Sequence, residues 1–219
     1  MTWLVLVAAI ALFAAPLATA LPPATAVGQI VRELAAQTEV PNLVSGVILY
    51  TRLFDTVTEV VVFTLAVLGV RYLLAVEPRR QQIRCLDDPP SKVLFELGAT
   101  VSAFIAVELA LRGHLSPGGG FAAGVAGGTA VGLILISGGA DRAERLYRRY
   151  RADLLEKASV LGFLLVTLLL LLGVELPSGQ FGTLLSGGWI PLLNGLVALK
   201  VTLGSWAMVQ LFVRYRGLL

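Results

Sequence analysis

The residues of this sequence that could do chemistry are ionisable side chains inside or beside long apolar segments. Lys200 falls near the middle of an apolar run, and Asp55 and Glu59 lie at the start of another. Asp55 and Glu59 are four residues apart, so a helix would place both on one face. An unpaired charge is costly in lipid, so each of these side chains needs a partner, a proton or a bound ion. The pattern is typical of a proton or cation path.

Each of these residues also has a structural explanation. Arg52 precedes Asp55 by three residues and could pair with it at the helix end. Lys200 could form a buried ion pair with a carboxylate of a partner subunit. The residues alone leave both explanations open. Arg71, closer to the end of its apolar run, is predicted to extend its side chain to the membrane interface.

A second group of polar residues surrounds a glycine-rich turn. Glu108 and Arg112 are four apart in the favourable order and predict a local ion pair, with an ion path as the alternative. His114 could relay protons near neutral pH. The turn after it is predicted to be structural, because proline fixes the backbone and glycines permit positive φ and close approach. Its residues are Pro117, Gly118, Gly119 and Gly120.

Composition decides the class of protein. Hydrophobic residues make up 57% of the 219 residues and charged residues only 14%. A soluble domain of this size could not bury that much apolar surface, whereas a bilayer accepts it. The net charge of +3 does not indicate a nucleic-acid partner, because the basic residues cluster between apolar runs. A single cysteine, Cys85, excludes an internal disulfide and a cysteine-rich metal site, and one histidine leaves little for zinc, so we expect no metal site.

The apolar runs are continuous over about 20 residues, which predicts spanning helices and not a barrel. The first resembles a signal peptide but lacks a basic start, so we expect it to be retained. The fold class predicted is therefore an all-α integral membrane protein with about six transmembrane helices. They are Trp3–Leu21, Thr56–Val76, Val93–Gly113, Phe121–Ser137, Lys157–Val174 and Trp189–Phe212.

Three further features describe the parts around these spans. A short helix entering the membrane is predicted over about Leu43–Leu53, and the charged segment Asp141–Glu156 is predicted to lie at the membrane surface. Gly124 and Gly128 form a small-residue pair that favours close helix packing. Twelve Lys and Arg residues fall on one side of the predicted membrane and three on the other. This asymmetry predicts cytoplasmic termini and an outward His114 loop.

Several strings resemble those of a known family. Gly113-His114, the turn Pro117 to Phe121 and the glycine-rich segment after it resemble the B subunit (MnhB/MrpB) of multisubunit sodium/proton antiporters. Residues 182–194 and Leu199-Lys200-Val201 fit the end of the same domain, and the resemblance covers about residues 92–219. It implies a multi-pass subunit of the inner (plasma) membrane whose partners are other antiporter subunits, lipid, Na⁺ and H⁺. It also implies that the subunit has no cofactor and no catalytic residue of its own.

An earlier segment, about residues 42–76, is similar to the C-terminal region of the antiporter A subunit. The same segment occurs as a small separate subunit (MbhE-like) in membrane-bound hydrogenases. The similarity rests on Arg52-Leu-Phe-Asp-Thr-Val-Thr-Glu59 and implies that Arg52, Asp55 and Glu59 lie near an ion path. The chain is thus predicted to join two modules, residues 1–76 and 93–219, through a cytoplasmic linker at 77–92.

Three functions remain open from the sequence. The first is a non-catalytic subunit that helps to frame the ion path of a cation/proton antiporter. The second is a subunit of the ion-translocating module of a redox-driven complex, either a membrane-bound hydrogenase or a complex-I-like oxidoreductase. The third is a purely structural scaffold. They differ in the partners that each requires, because redox centres would lie on other polypeptides.

Overall fold

The computed structural model describes residues 24–78 and 88–217, together with helical positions 3, 6, 7, 10, 11 and 14. All regular structure in these residues is helical. Two π-helical turns, Val47–Thr51 and Leu135–Gly139, follow the helices Leu43–Gly46 and Gly120–Ile134. The helices are α1 Ala24–Thr38, α2 Leu43–Gly46, α3 Leu53–Leu74, α4 Pro89–Arg112, α5 Gly120–Ile134, α6 Ala140–Arg149, α7 Ala152–Leu171 and α8 Ile190–Arg216.

Five segments of the described residues are long and apolar enough to cross a membrane: α3, α4, α5 extended to Ser137, α7 and α8. They correspond to five of the six predicted spans, and the all-α membrane fold is confirmed. The other predicted span, Trp3–Leu21, falls largely outside the described residues, as do Cys85 and most of the 77–92 linker. The orientation of the termini stays a prediction.

Local sequence sets where the spans begin. Asp88 caps α4 by accepting a hydrogen bond from the backbone N–H of Ser91 (3.1 Å), and prolines occupy the first turn of α4 and of α8. Proline suits this position because its missing N–H would have no helical partner there. Arg151, with φ of 49°, separates α6 from α7. The predicted surface segment was therefore wrong at its end, since α7 already begins at Ala152.

Helix α8 is the centre of the bundle. It packs against α3, α5 and α7 and is the most buried of the five spans, whereas α4 is the most exposed. The core around it contains Val60, Phe163, Leu193, Val197 and Val201. Because Val60 comes from before the predicted linker and the others from after it, the two predicted modules share one core. Their division at residues 77–92 stays a prediction.

Glycines allow α5 to lie directly against α8. A Cβ added at Gly124 would fall 2.3 Å from Cβ of Val201, and one at Gly120 would fall 2.6 Å from Cβ of Val197. Gly127 and Gly128 meet side chains of α8 in the same way. The predicted packing role of the glycine-rich helix is therefore confirmed, because small residues let helices approach closely in lipid.

This packing predicts that Gly124→Ala destabilises the protein by about 1–3 kcal/mol, since the added methyl group overpacks a filled interface. The measurement is thermal unfolding of the detergent-purified protein. Gly132→Ala is the matched control on the same helix, because nothing lies within 4 Å of a Cβ added there. Equal melting temperatures for the two variants would show that the contact between α5 and α8 is not as close as described.

Candidate functional site: a buried charge network

A lysine and a glutamate pair inside the bundle. Nζ of Lys200 on α8 lies 2.5 Å from Oε1 of Glu156 on α7. The two residues are 1% and 4% exposed. Ten residues of α8 precede Lys200, so this charge lies well inside the span, where snorkelling to the interface is not available. Burial of two charges is tolerated only when they are paired and hydrogen-bonded, which is the arrangement found.

Three more ionised side chains complete what we call the charge network. Arg71 of α3 donates to Oε2 of Glu156 and to Oδ1 of Asp153, both at 3.0 Å. Lys157 donates to Oδ2 of Asp153 at 2.8 Å. Each of the four carboxylate oxygens therefore accepts a hydrogen bond from a cationic nitrogen. The charge network consists of Arg71, Asp153, Glu156, Lys157 and Lys200.

The helix packing around Lys200 is shaped to fit it. The ammonium group lies 5.6 Å from the ring centre of Phe63, within range of a cation–π contact. Phe63 reaches this position because α8 carries glycine at 204, where a Cβ would lie 2.6 Å from Cε1 of the ring. Ser159 donates to the backbone carbonyl of Glu156 at 2.7 Å. Lys200 is thus held by an aromatic face on one helix and a carboxylate on another.

Two cavities adjoin the charge network, and Arg71 lines both. The first, about 330 Å³, lies between α3 and α7 and contacts Glu156 and Lys200. The second, about 290 Å³, contacts Asp153 and also Tyr147 of α6. The hydroxyl oxygen of Tyr147 lies 3.4 Å from Arg71, and burial raises the pKa of this tyrosine above its usual range. Arg71 therefore lines both the cavity that reaches the buried pair and the one near the helix ends.

The structure corrects one prediction about these residues. The carboxylate that pairs with Lys200 belongs to this chain, not to a partner subunit. Arg71 pairs with Asp153 and Glu156, and its position relative to the membrane interface stays a prediction. Glu156 was assigned to the surface segment and missed, because the carboxylate directly precedes a continuous apolar run. Its spacing of three from Asp153, one helical turn, was the only sequence signal for a shared site.

The other predicted path residues lie elsewhere. Arg52 and Asp55 form an exposed ion pair at 2.6 Å, as their spacing predicts. Asp55 and Arg71 occupy opposite ends of α3, about 24 Å apart along a helix axis. Glu59 is exposed and lines a separate cavity of about 370 Å³ beside Gly118, Gly119 and Gly120. The structure thus does not bring Asp55 and Glu59 together with Lys200, and their role in an ion path stays a prediction.

The predicted pair at the end of α4 is present. Arg112 lies 3.4 Å from Glu108, and both side chains are about half exposed. An exposed pair of this kind contributes about 0–1 kcal/mol of stability, which suits a local structural role. Glu96, near the other end of α4, lies 3.6 Å from Arg142.

His114 and the turn after α4 make hydrogen bonds to two other parts of the chain. The side-chain amide of Asn42 donates to the carbonyls of Gly113 (2.6 Å) and Ser116 (2.9 Å), and Ser45 donates to Gly113 (2.7 Å). His114 is fully buried, with Nε2 3.4 Å from the carbonyl oxygen of Thr183. The turn therefore joins α2, the end of α4 and the loop before α8.

The glycines of this turn are required by its geometry. Gly119 has φ of 113°, which side chains rarely adopt, and a Cβ on Gly113 would lie 2.7 Å from Cα of Gly119. The backbone N–H of Gly120 donates to Oδ1 of Asn194 on α8 at 3.0 Å. Pro117 precedes these glycines in the turn. The turn is therefore packed closely against α8, and its assignment as a purely structural loop stays a prediction.

Comparison with known proteins gives one family and two structures. A family model described as a domain related to the MnhB subunit of the Na⁺/H⁺ antiporter matches residues 90–207, as the resemblance predicted. It begins after residues 42–76, so their resemblance to the A subunit stays a prediction. No curated protein matches this sequence.

The two solved structures share the fold. One is a chain of the membrane-bound sulfane sulfur reductase (MBS), an archaeal respiratory membrane complex. It has a TM-score of 0.75 at 22% identity, over 97% of this chain and 95% of that chain. The other is a chain of the Mrp complex from Dietzia sp. DQ12-45-1b. It has a TM-score of 0.70 at 22% identity, over 98% of this chain and 25% of that chain.

The buried pair predicts a non-additive effect on stability. Lys200→Met leaves Glu156 with one cationic partner fewer in the interior, and breaking a buried pair costs roughly 3–5 kcal/mol. The double variant Lys200→Met, Glu156→Gln removes both charges and should recover most of that loss. Thermal unfolding of the three proteins in one detergent measures the difference. Equal or additive losses in the double variant would contradict the coupling.

His114 predicts a pH dependence of stability. Burial lowers the pKa of this histidine below its usual value, and backbone hydrogen bonds at Thr183 and Leu184 act in the opposite direction. The unfolded chain therefore binds a proton more readily than the folded chain. The contribution of neutral His114 to the free energy of unfolding is complete above the pKa that the histidine has in the unfolded chain. It is lost as pH falls through the lower pKa that the histidine has in the folded chain.

The check is a series of unfolding measurements between about pH 8 and about pH 5. The wild-type protein should melt at lower temperature on the acid side, while His114→Gln, which cannot titrate, should lose that part of the pH dependence. If His114→Gln keeps the full pH dependence of the melting temperature, that dependence comes from other groups.

Proposed function

This chain belongs to the family of domains related to the MnhB subunit of the Na⁺/H⁺ antiporter, and from that membership we propose that it is a non-catalytic membrane subunit of a cation/proton antiporter complex. Its partners are other membrane subunits, and its place is the cell (plasma) membrane. In this proposal the charge network lies on or beside the route of the translocated ions. The subunit supplies fixed and titratable charges and performs no bond chemistry.

The observation that carries the proposal is the Lys200–Glu156 pair. Intramembrane charges are costly and are often retained on ion pathways and proton relays. This pair is accompanied by Arg71 and by a cavity of about 330 Å³ that reaches both of its members. Stability alone does not require such a network, because apolar residues of similar volume often replace buried ion pairs at no cost.

A second candidate has its own observation. The structural neighbour in the sulfane sulfur reductase complex is covered over 95% of its length, and that complex is described as respiratory. This favours the alternative of an ion-translocating-module subunit in a redox-driven complex. The charge network would serve the same purpose in either setting, with electron transfer on other subunits as the energy source. A purely structural scaffold is the third alternative, and it requires that the network can be neutralised without effect.

The test is sodium-dependent proton exchange in everted vesicles from cells that express the whole complex. The double variant Lys200→Met, Glu156→Gln should lose most of the exchange, since it removes the titratable pair but leaves no unpaired carboxylate at Glu156. Glu96→Gln is the matched control, because its pair with Arg142 is exposed on α4. Full exchange in the double variant would favour the scaffold.

The same preparation separates the two energy sources. Purification through a tag on this chain, followed by mass spectrometry of the intact complex, identifies the partners. Antiporter-type membrane subunits alone support the main proposal. Co-purifying iron–sulfur or hydrogenase-type subunits would overturn it in favour of the redox-driven alternative. In both cases the partner list of the double variant reports whether assembly is intact.

A further inference from the structure

We propose that the charge network binds and releases protons and does not bind sodium ions, so that any sodium site of the complex lies elsewhere. The inference rests on the proposed function and assigns one of the two exchanged ions to this network. It follows from how the carboxylate oxygens are occupied, from the charge balance and from the position of Arg71.

Each carboxylate oxygen of the charge network is already engaged by a cationic donor. A hard metal cation is held by several oxygen ligands, usually carboxylates, carbonyls and water. Here Lys200 occupies Oε1 of Glu156, and Arg71 occupies Oε2. Arg71 and Lys157 occupy the two oxygens of Asp153. No group of three or more His, Cys, Asp or Glu side chains suited to a metal ion occurs in the described residues.

The charge balance also opposes a sodium ion. The network holds three cations (Arg71, Lys157 and Lys200) and two carboxylates, which leaves an excess of one positive charge. The neighbouring helix ends add Arg148 and Arg214, which share the single carboxylate Glu144. A further cation would meet net repulsion, and repulsion between charges is strong where water is excluded.

Arg71 places a permanent positive charge in the lining of both cavities. Its guanidinium group cannot lose its proton in a protein, and it lines both the cavity that reaches the buried pair and the one beside Tyr147. A fixed arginine repels cations electrostatically. A sodium ion is therefore opposed in entering either cavity.

A proton requires none of these missing features. Along the 2.5 Å hydrogen bond, one N–H bond of Lys200 can break while an O–H bond forms on Oε1 of Glu156. The ion pair becomes a neutral amine beside a neutral carboxylic acid, and the total charge is unchanged. The carboxylic acid can then lose its proton to the adjoining cavity, and the amine can gain one from it.

The titratable and charged groups that line the two cavities beside the network come from α3, α6, α7 and α8, and Arg71 is the one from α3. Among them Lys200 differs from the arginines in one property that matters, because lysine can lose its proton and arginine cannot. The other groups are Glu144, Tyr147, Arg148, Asp153, Lys157 and Arg214.

The experiment uses this difference. Lys200→Arg keeps the positive charge but cannot release a proton. In vesicles containing the whole complex, it should lower the maximal rate of sodium/proton exchange on the order of 100-fold, the usual size of a lost proton-transfer group. The apparent KM for sodium should change by less than about twofold, because no sodium ligand has been altered. The pH dependence of the remaining exchange rate should show one titrating step fewer than that of the wild type.

Two results would overturn parts of the argument separately. A several-fold rise in the apparent KM for sodium, with the pH profile retained, would place sodium at the network and refute the inference while leaving the proposed function standing. Unchanged exchange in Lys200→Arg and in the double variant Lys200→Met, Glu156→Gln would refute the proposed role of the network itself.

A binding measurement covers the case in which Lys200→Arg does not assemble. Proton uptake by the detergent-purified complex is titrated with and without saturating sodium, for wild type and for the double variant. If the inference is right, the wild-type complex takes up a proton that saturating sodium does not displace, and the double variant lacks this proton uptake. Loss of a titration that sodium displaces in the wild type would identify a shared sodium/proton site and refute it.

Discussion

The buried ion pair between Lys200 and Glu156 constrains the half of the bundle in which it lies. Neither charge could remain in the interior alone, because the loss of hydration is repaid only by a close, hydrogen-bonded partner. The pair therefore fixes α7 against α8, and Arg71 ties α3 to both through the second oxygen of Glu156. Glycine at 204 then lets Phe63 cover the ammonium group.

The opposite end of the bundle is held by neutral hydrogen bonds. There the carbonyls of the turn after α4 accept bonds from Asn42 and Ser45, and Asn194 accepts a bond from Gly120. These contacts join α2, α4, α5 and α8 through hydrogen bonds between neutral groups. The helices at one end of the bundle are thus joined by hydrogen bonds of the glycine-rich turn, while the ion pairs of the charge network join the helices of the other half.

The two parts meet along α5 and α8, where glycines replace the side chains that would separate the helices. Residues 90–207, matched by the family model, include four members of the charge network, while Arg71 lies before that range. The network is therefore completed by a helix that the family model does not cover. This explains physically why α3 shares the core of the later helices: its arginine is needed to satisfy Glu156 and Asp153.

The sequence by itself determined the class, five spans of the described residues, the glycine-dependent packing and the local pairs Arg52–Asp55 and Glu108–Arg112. These follow from composition, from continuous apolar length and from spacing along one helix, all of which are local properties. It also marked Lys200 as unusual. Only the tertiary structure decided its partner, because Glu156 is 44 residues away and Arg71 a further 85 from Glu156. Helix packing brings such distant residues together, and no spacing rule along the chain encodes which ones meet.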